Sequence, residues 1–326
     1  MRLRPALLVL AVVAGVMPAA PAPAAPVPCR ACVADFAIYD PVREEDGVWE
    51  EDVTALETIL DAYGFTHRRV DAPGIAGGAL GSGAGRRFRA LLEPGGWAYT
   101  RNVALGATGA ARLRSFVQSG GGYVGFCAGA YAAAALVRFD LQGAGYYQSI
   151  PYSLQLFPGA AAGPFGWMPW RDGTNANLVE AAIEVGNPTM RAIGIPARTR
   201  FLYGGGPWFE PYLSPARYEV WARAVAPPGA TNRAGDGKPT IVKLAYGRGT
   251  VVLFAYHPEI LIGSTADGVV LRQFCDEGAI DWDLGDLTLE QIDLDSWNVV
   301  HAALQVAIGQ RAAPVLALPQ ASLPAP

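Results

Sequence analysis

The segment Gly120-Gly121-Gly122-Tyr123-Val124-Gly125-Phe126-Cys127-Ala128-Gly129-Ala130-Tyr131 constrains the fold more than any other part of the chain. A glycine-rich turn leads into a short apolar run. A cysteine follows, and then a run of small residues. Gly125 stands two residues before the cysteine and Gly129 two after it, the spacing of a nucleophile elbow with Cys in place of Ser. An elbow of this kind is a sharp strand-to-helix turn, so its flanking positions must be tiny to clear the neighbouring backbone. It exposes one side chain at a helix N-terminus, where the dipole and free N–H groups favour a thiolate. The N–H of Ala128 can also donate to an oxyanion. A buried structural cysteine in a packing turn would use the same glycines, so the pattern alone leaves both readings open.

A thiol nucleophile needs a base, and the chain has three histidines. His67 sits beside Arg68 and Arg69 in an early strand, and His301 sits in the last helical stretch as a packing or surface residue. His257 follows the apolar run 251–256 and precedes Pro258 and Glu259. It therefore stands at the C-terminal end of a strand, the edge at which open α/β sheets form sites. Glu259, two residues on, can fix the imidazole tautomer if the segment is extended. Pro94-Gly95-Gly96 ends another strand and can turn a backbone N–H toward a substrate. A plain type II turn has the same composition.

Strands and helices alternate around these motifs. Strands are expected at 33–39, 66–70, 87–92 and 122–126, and helices at 49–63, 108–118 and 128–136. The last of these is almost pure alanine. Such alternation predicts an α/β fold with a mostly parallel sheet between helices. Residues 140–215 are irregular and rich in Gly, Pro and aromatics. Strands follow at 217–223, 240–246 and 250–256, the last two joined through Gly247-Arg248-Gly249 as a hairpin. Amphipathic stretches lie at 264–278 and 287–308.

Composition narrows the class. Hydrophobic residues make up 51% and the net charge is −4, which excludes a disordered chain and argues against a nucleic-acid partner. Residues 1–25 read as a signal peptide: Arg2 and Arg4, then the apolar run 6–17, then small residues. Export to an extracellular or periplasmic space is the expectation, with no membrane association after cleavage. Residues 29–310 read as a single α/β domain and 311–326 as a disordered Ala/Pro-rich tail. In an oxidising compartment Cys29 and Cys32 either close on each other or give one partner to Cys275. The acidic groups Glu44-Glu45-Asp46 and Glu50-Glu51-Asp52 read as a solvated helix start. The acidic residues of 281–295 lack calcium-loop spacing, and neither a metal nor a cofactor is expected.

Taken in order, Gly95 and Gly96, the elbow at Cys127, and His257-Pro258-Glu259 resemble the class I glutamine amidotransferases. The words at 120–131, Tyr203-Gly204-Gly205-Gly206-Pro207 and 246–254 are similar to the amidotransferase-like domain at the N-terminus of fungal biotin–protein ligases, which also occurs as a stand-alone protein. The resemblance covers roughly residues 33–280. It implies a flavodoxin-like sheet with helices on both faces, extended by the antiparallel hairpin. It also implies a triad of Cys127, His257 and Glu259, with Gly95, Gly96, Ala128, Tyr131, Tyr203, Gly204 and Gly205 around the oxyanion and substrate. One departure stands out: Gly129-Ala130-Tyr131 replaces the Gly-His-Gln of glutaminases, so Tyr131 can cap the pocket that would hold a glutamine side chain. Trp97, Trp167, Trp170 and Trp208 are pocket candidates, with core packing favoured for Trp167 and Trp170. The expected activity is a cysteine hydrolase or amidase acting on a small-molecule or peptide-like amide or ester. A non-catalytic ligand-binding protein of the same fold is the alternative.

Overall fold

The computed structural model describes residues 28–41, 47–141, 148–169, 177–212, 217–262, 286–315 and 317–318. Five parallel strands form the spine: β1 (Phe36–Tyr39), β2 (His67–Val70), β3 (Ala90–Glu93), β4 (Gly122–Phe126) and β13 (Gly249–Phe254). Their spatial order is β2-β1-β3-β4-β13, the doubly wound order of flavodoxin-like folds. Central strands buried on both faces should read as continuous apolar runs, and β1 (FAIY) does. At the edge, β2 (HRRV) is polar, which suits a strand facing water.

Alternate residues of β1 feed two cores. Phe36 and Ile38 join one core with α1 (Glu50–Ala62) and α6 (Leu289–Ala307). Ala37 and Tyr39 join the other, with α2 (Ala72–Ala76), α3 (Ala98–Gln118) and α4 (Ala128–Ala133). Helices thus cover both faces, as expected. Helix α3 starts earlier than the sequence reading placed it and is broken internally at Gly106 (φ 57°).

The antiparallel part is larger than one hairpin. Beyond β13 the sheet continues through β12 (Pro239–Tyr246), β11 (Tyr218–Ala224), β8 (Asn177–Ile183) and β9 (Arg198–Tyr203), with the short helix α5 (Pro188–Ile193) between β8 and β9. A second sheet runs β10-β7-β5-β6, from β5 (Ala134–Phe139), β6 (Gln148–Pro151), β7 (Phe157–Gly163) and β10 (Trp208–Pro211). Among its described residues, the irregular middle of the sequence therefore contains five strands, β6 to β10.

Three expectations need correction. The alanine run at 128–136 is helical only to Ala133 and then becomes β5, because pairing with β6 and β7 outweighs alanine's helix preference. The tail does not leave the domain at once: the Asn298 side chain exchanges hydrogen bonds with both backbone groups of Val315. The acidic helix start is solvated at Glu50 and Glu51, whereas Asp52 is completely buried. The Glu44-Glu45-Asp46 group, the stretch 264–278, Trp170, Cys275 and the signal region lie outside the described residues. Cys29 and Cys32 are joined in a disulfide.

Candidate active site

Every strand of the parallel spine ends at the same edge, and the site residues collect there. Glu93 is in register with Gly125, and Phe126 with Phe254. Pro94-Gly95-Gly96, Cys127 and His257 are therefore placed side by side by the register of three adjacent strands, at the carboxyl edge where such sheets bind ligands.

Cys127 has φ 44° and ψ −101°, a conformation rare for a residue with a Cβ. Its N–H donates to the Phe254 carbonyl (2.9 Å), which ties the elbow to β13. The turn closes so tightly that a Cβ on Gly125 would stand 2.7 Å from the Gly129 carbonyl carbon. Strain of this sort persists only where the surroundings over-determine it. The Cys127 thiol is 4% exposed and lies 3.5 Å from the Gly204 carbonyl.

His257 is fully buried. Its N–H donates to the Leu202 carbonyl (2.8 Å), and Glu259 Oε1 stands 2.9 Å from its Nδ1. The sequence pairs these two residues correctly, but the connection is a turn closed by Ile260 N–H on the His257 carbonyl (3.3 Å), where extended backbone was expected. Helix α6 braces this turn. Trp297 donates to the Glu259 carbonyl (3.3 Å), and Asp293 accepts from Ile262 N–H (2.6 Å).

Asp52 was not foreseen. Its Oδ1 lies 3.3 Å from the same His257 Nδ1, and its other oxygen accepts the Gly95 N–H. Burial opposes the imidazolium, but the charges of Asp52, Cys127 and Glu259 push the His257 pKa well above its ordinary range. Burial also opposes the Asp52 carboxylate, yet His257 and its hydrogen bonds hold that carboxyl below the usual value. Burial and the neighbouring Asp52 charge push Glu259 well up. The signal was present in the sequence. Asp52 precedes Leu56 by four residues and Ile59 by seven, so it shares their buried helical face.

One ligating atom from each of Asp52, His257 and Glu259 lies within 4.8 Å of the others, so the three form the best candidate cation cluster among the described residues. Their donors and acceptors are aimed at one another, however, and Gly95 N–H takes the remaining Asp52 oxygen. This is the pattern of an imidazole held by carboxylates.

The Pro94-Gly95-Gly96 loop is held from beneath by Arg101, a buried residue that the sequence expectations did not include. Its guanidinium donates to the carbonyls of Pro94 (2.8 Å) and Gly95 (2.9 Å) and pairs with Glu93 (3.3 Å). A trans peptide then turns the Gly96 N–H away from Arg101. Gly129 N–H donates to the Pro94 carbonyl (3.1 Å), locking the loop to the elbow. Ala128 opens α4.

A cavity of about 640 Å³ reaches Cys127 and is lined in part by Gly96, Trp97, Tyr131, Gly204 and Gly205. The Tyr131 hydroxyl donates to the Gly205 carbonyl (3.0 Å). Tyr203 does not line the cavity. Its hydroxyl donates to the Gly206 carbonyl (2.8 Å) and its ring stacks on Phe165, so it braces the triple-glycine turn from behind. Trp208 and Trp167 pack on Phe165 as well. His301 stacks on Tyr63, and His67 pairs with Asp61.

Residues 86–274 match the family described as biotin-protein ligase, N terminal, a span that includes the elbow, the triple-glycine turn and His257. The chain belongs to that family. Among relatives, an uncharacterized protein of Chlamydia muridarum is 28% identical over 217 residues, covering 67% of this chain and 68% of its own. A biotin–protein ligase of Schizosaccharomyces pombe is 27% identical over 170 residues, covering 52% of this chain and 25% of the ligase, so the family segment is a minor part of that enzyme. Two solved glutamine amidotransferases are similar in structure. One has TM-score 0.42 at 19% identity, covering 68% of this chain and 92% of its own. The other, from Thermotoga maritima, has TM-score 0.43 at 13% identity, covering 84% and 97%.

Proposed function

We propose that the protein is an exported cysteine hydrolase or amidase in which Cys127 attacks an amide or ester carbonyl. The observation that carries this reading is the convergence of a strained, elbow-mounted thiol with a buried imidazole held by carboxylates. In the first half-reaction the Cys127 thiol gives its proton to His257 and its sulfur bonds to the carbonyl carbon. The carbonyl oxygen becomes an oxyanion, which takes hydrogen bonds from the N–H groups of Gly96 and Ala128. The bond to the leaving amine or alcohol then breaks, and that group takes a proton from His257. In the second half-reaction water gives a proton to His257 and adds to the thioester. The acid leaves, and the sulfur takes the proton back from His257, which restores the thiol. Asp52 and Glu259, which both face Nδ1, keep the imidazole oriented throughout.

The signal-like sequence at the N-terminus and the Cys29–Cys32 disulfide support export. Labelling by an electrophilic acyl probe tests the chemistry: wild type should be labelled and Cys127→Ala should not. A wild-type protein that takes no label and hydrolyses no member of an amide and ester panel would sink the proposal. Sequencing the N-terminus of the protein recovered outside the cytoplasm tests export.

A further inference from the structure

The cavity above Cys127 says something about what can enter it. Trp97, Tyr131, Val137, Phe139, Ile150 and Tyr152 are among its lining residues. No charged side chain is among its described lining residues, and the sequence between Leu141 and Gln148 holds no Asp, Glu, Lys, Arg or His. Strands β5 and β6 pair antiparallel to make one side of the chamber, with Val137 opposite Ile150 in register. Two of its polar groups are committed to backbone carbonyls. The Tyr131 hydroxyl donates to Gly205, and the Thr100 hydroxyl to the Trp97 carbonyl (3.0 Å).

A free amino acid brings an ammonium and a carboxylate. Buried against this wall, neither would find a partner of opposite charge, and an unpaired buried charge is strongly unfavourable. An apolar chain of matching size loses only its contact with water, which favours binding. A volume near 640 Å³ suits a ligand of moderate size.

We infer that the site takes an uncharged carboxamide or ester whose acyl group is apolar, seated between β5, β6 and Tyr131 with its carbonyl at Cys127, and that it rejects free glutamine. The inference rests on the hydrolase reading for the position of the carbonyl. The affinity for an apolar chain is a property of the cavity and can be measured without turnover.

Calorimetry on Cys127→Ala with butanamide, hexanamide and octanamide measures it directly. Each buried methylene should tighten binding roughly fourfold, so octanamide, four methylenes longer, should bind roughly 250-fold more tightly than butanamide. The monoamide of suberic acid, equal in length but ending in a carboxylate, should bind at least about tenfold more weakly than octanamide. Ile150→Arg places a cation on the wall and should reverse that order. Should Cys127→Ala misfold, protection of the wild-type thiol from iodoacetamide by octanamide gives the same ranking. Chain-length-dependent binding without hydrolysis of any substrate would leave the cavity inference standing and remove the hydrolase. Hydrolysis of glutamine or another charged amide, with octanamide neither binding nor protecting, would overturn the cavity inference and leave the hydrolase.

Discussion

Asp52 Oδ1 and Glu259 Oε1 face one nitrogen, His257 Nδ1, at 3.3 Å and 2.9 Å. One imidazole N–H cannot satisfy two carboxylates that both keep their charge in a fully buried site, since like charges so close disfavour joint ionisation. The opposed directions, Asp52 held down by His257 and Glu259 pushed up by burial and the Asp52 charge, favour the charge on Asp52. Asp52→Asn should therefore cost more than Glu259→Gln. We expect the acylation rate to fall about 10²- to 10⁴-fold in Asp52→Asn, by analogy with losing the charged orienter of a triad. The His257 pKa should fall in the same variant, visible as a displaced limb of the pH–rate profile. A larger loss in Glu259→Gln would assign the charge to Glu259 instead.

Gly95 touches two members of this cluster. A Cβ there would stand 2.6 Å from His257 Cε1 and 2.5 Å from Asp52 Oδ2. Gly95→Ala must push the imidazole or the carboxylate aside. Overpacking of this kind typically costs about 1–3 kcal/mol. The expected outcome is a protein that still folds, with a lowered melting temperature and acyl labelling reduced by at least tenfold. Full labelling at wild-type rate would show that the imidazole is not held against Gly95.

How much of this was readable in the sequence depends on distance along the chain. Cys127 with its glycines, and His257 with Glu259, are local words, and the backbone geometry they demand is local too. Asp52 and Arg101 carry no such word. Asp52 reaches His257 only because β1 runs parallel to β3 and delivers the start of α1 to the same edge. Both residues sit one helical turn before a buried leucine, Leu56 or Leu105, and that phase could have marked them as inward-facing. The end of α4 at Ala133 was illegible for another reason: alanine fits either a helix or a tightly packed strand, and pairing with β7 decides. Tyr203 illustrates the converse, since a motif word can hold a loop from behind without lining the cavity.

Arg101 should be as sensitive as the Asp52, His257 and Glu259 cluster. Its guanidinium is 1% exposed, holds the Pro94 and Gly95 carbonyls and pairs with Glu93. Arg101→Met removes the cation and leaves two carbonyls and a carboxylate without it. Breaking a buried pair from one side costs about 3–5 kcal/mol. Chemical denaturation should show a loss of that size, together with slower acyl labelling because the Pro94-Gly95-Gly96 loop beside Cys127 loses its support. A loss under about 1 kcal/mol would mean that water replaces the guanidinium.

Glu93 makes the pair pH-dependent. Burial, only partly offset by Arg101, pushes its carboxyl up to about 7 from an ordinary 4.5. A carboxyl whose pKa is raised on folding keeps its proton while the unfolded chain gives it up. Its contribution is therefore fully present below about pH 4.5 and is lost as pH rises toward 7. Across that window the loss amounts to roughly 3 kcal/mol. Glu93→Gln cannot ionise, so its stability should change less over the same range. Urea denaturation of both proteins at pH 4.5, 6 and 7.5 measures the difference. The variant should gain on wild type by about 3 kcal/mol between the first and last pH. Parallel curves would show that Arg101 keeps Glu93 ionised throughout, and the pair would then be a plain buried salt bridge.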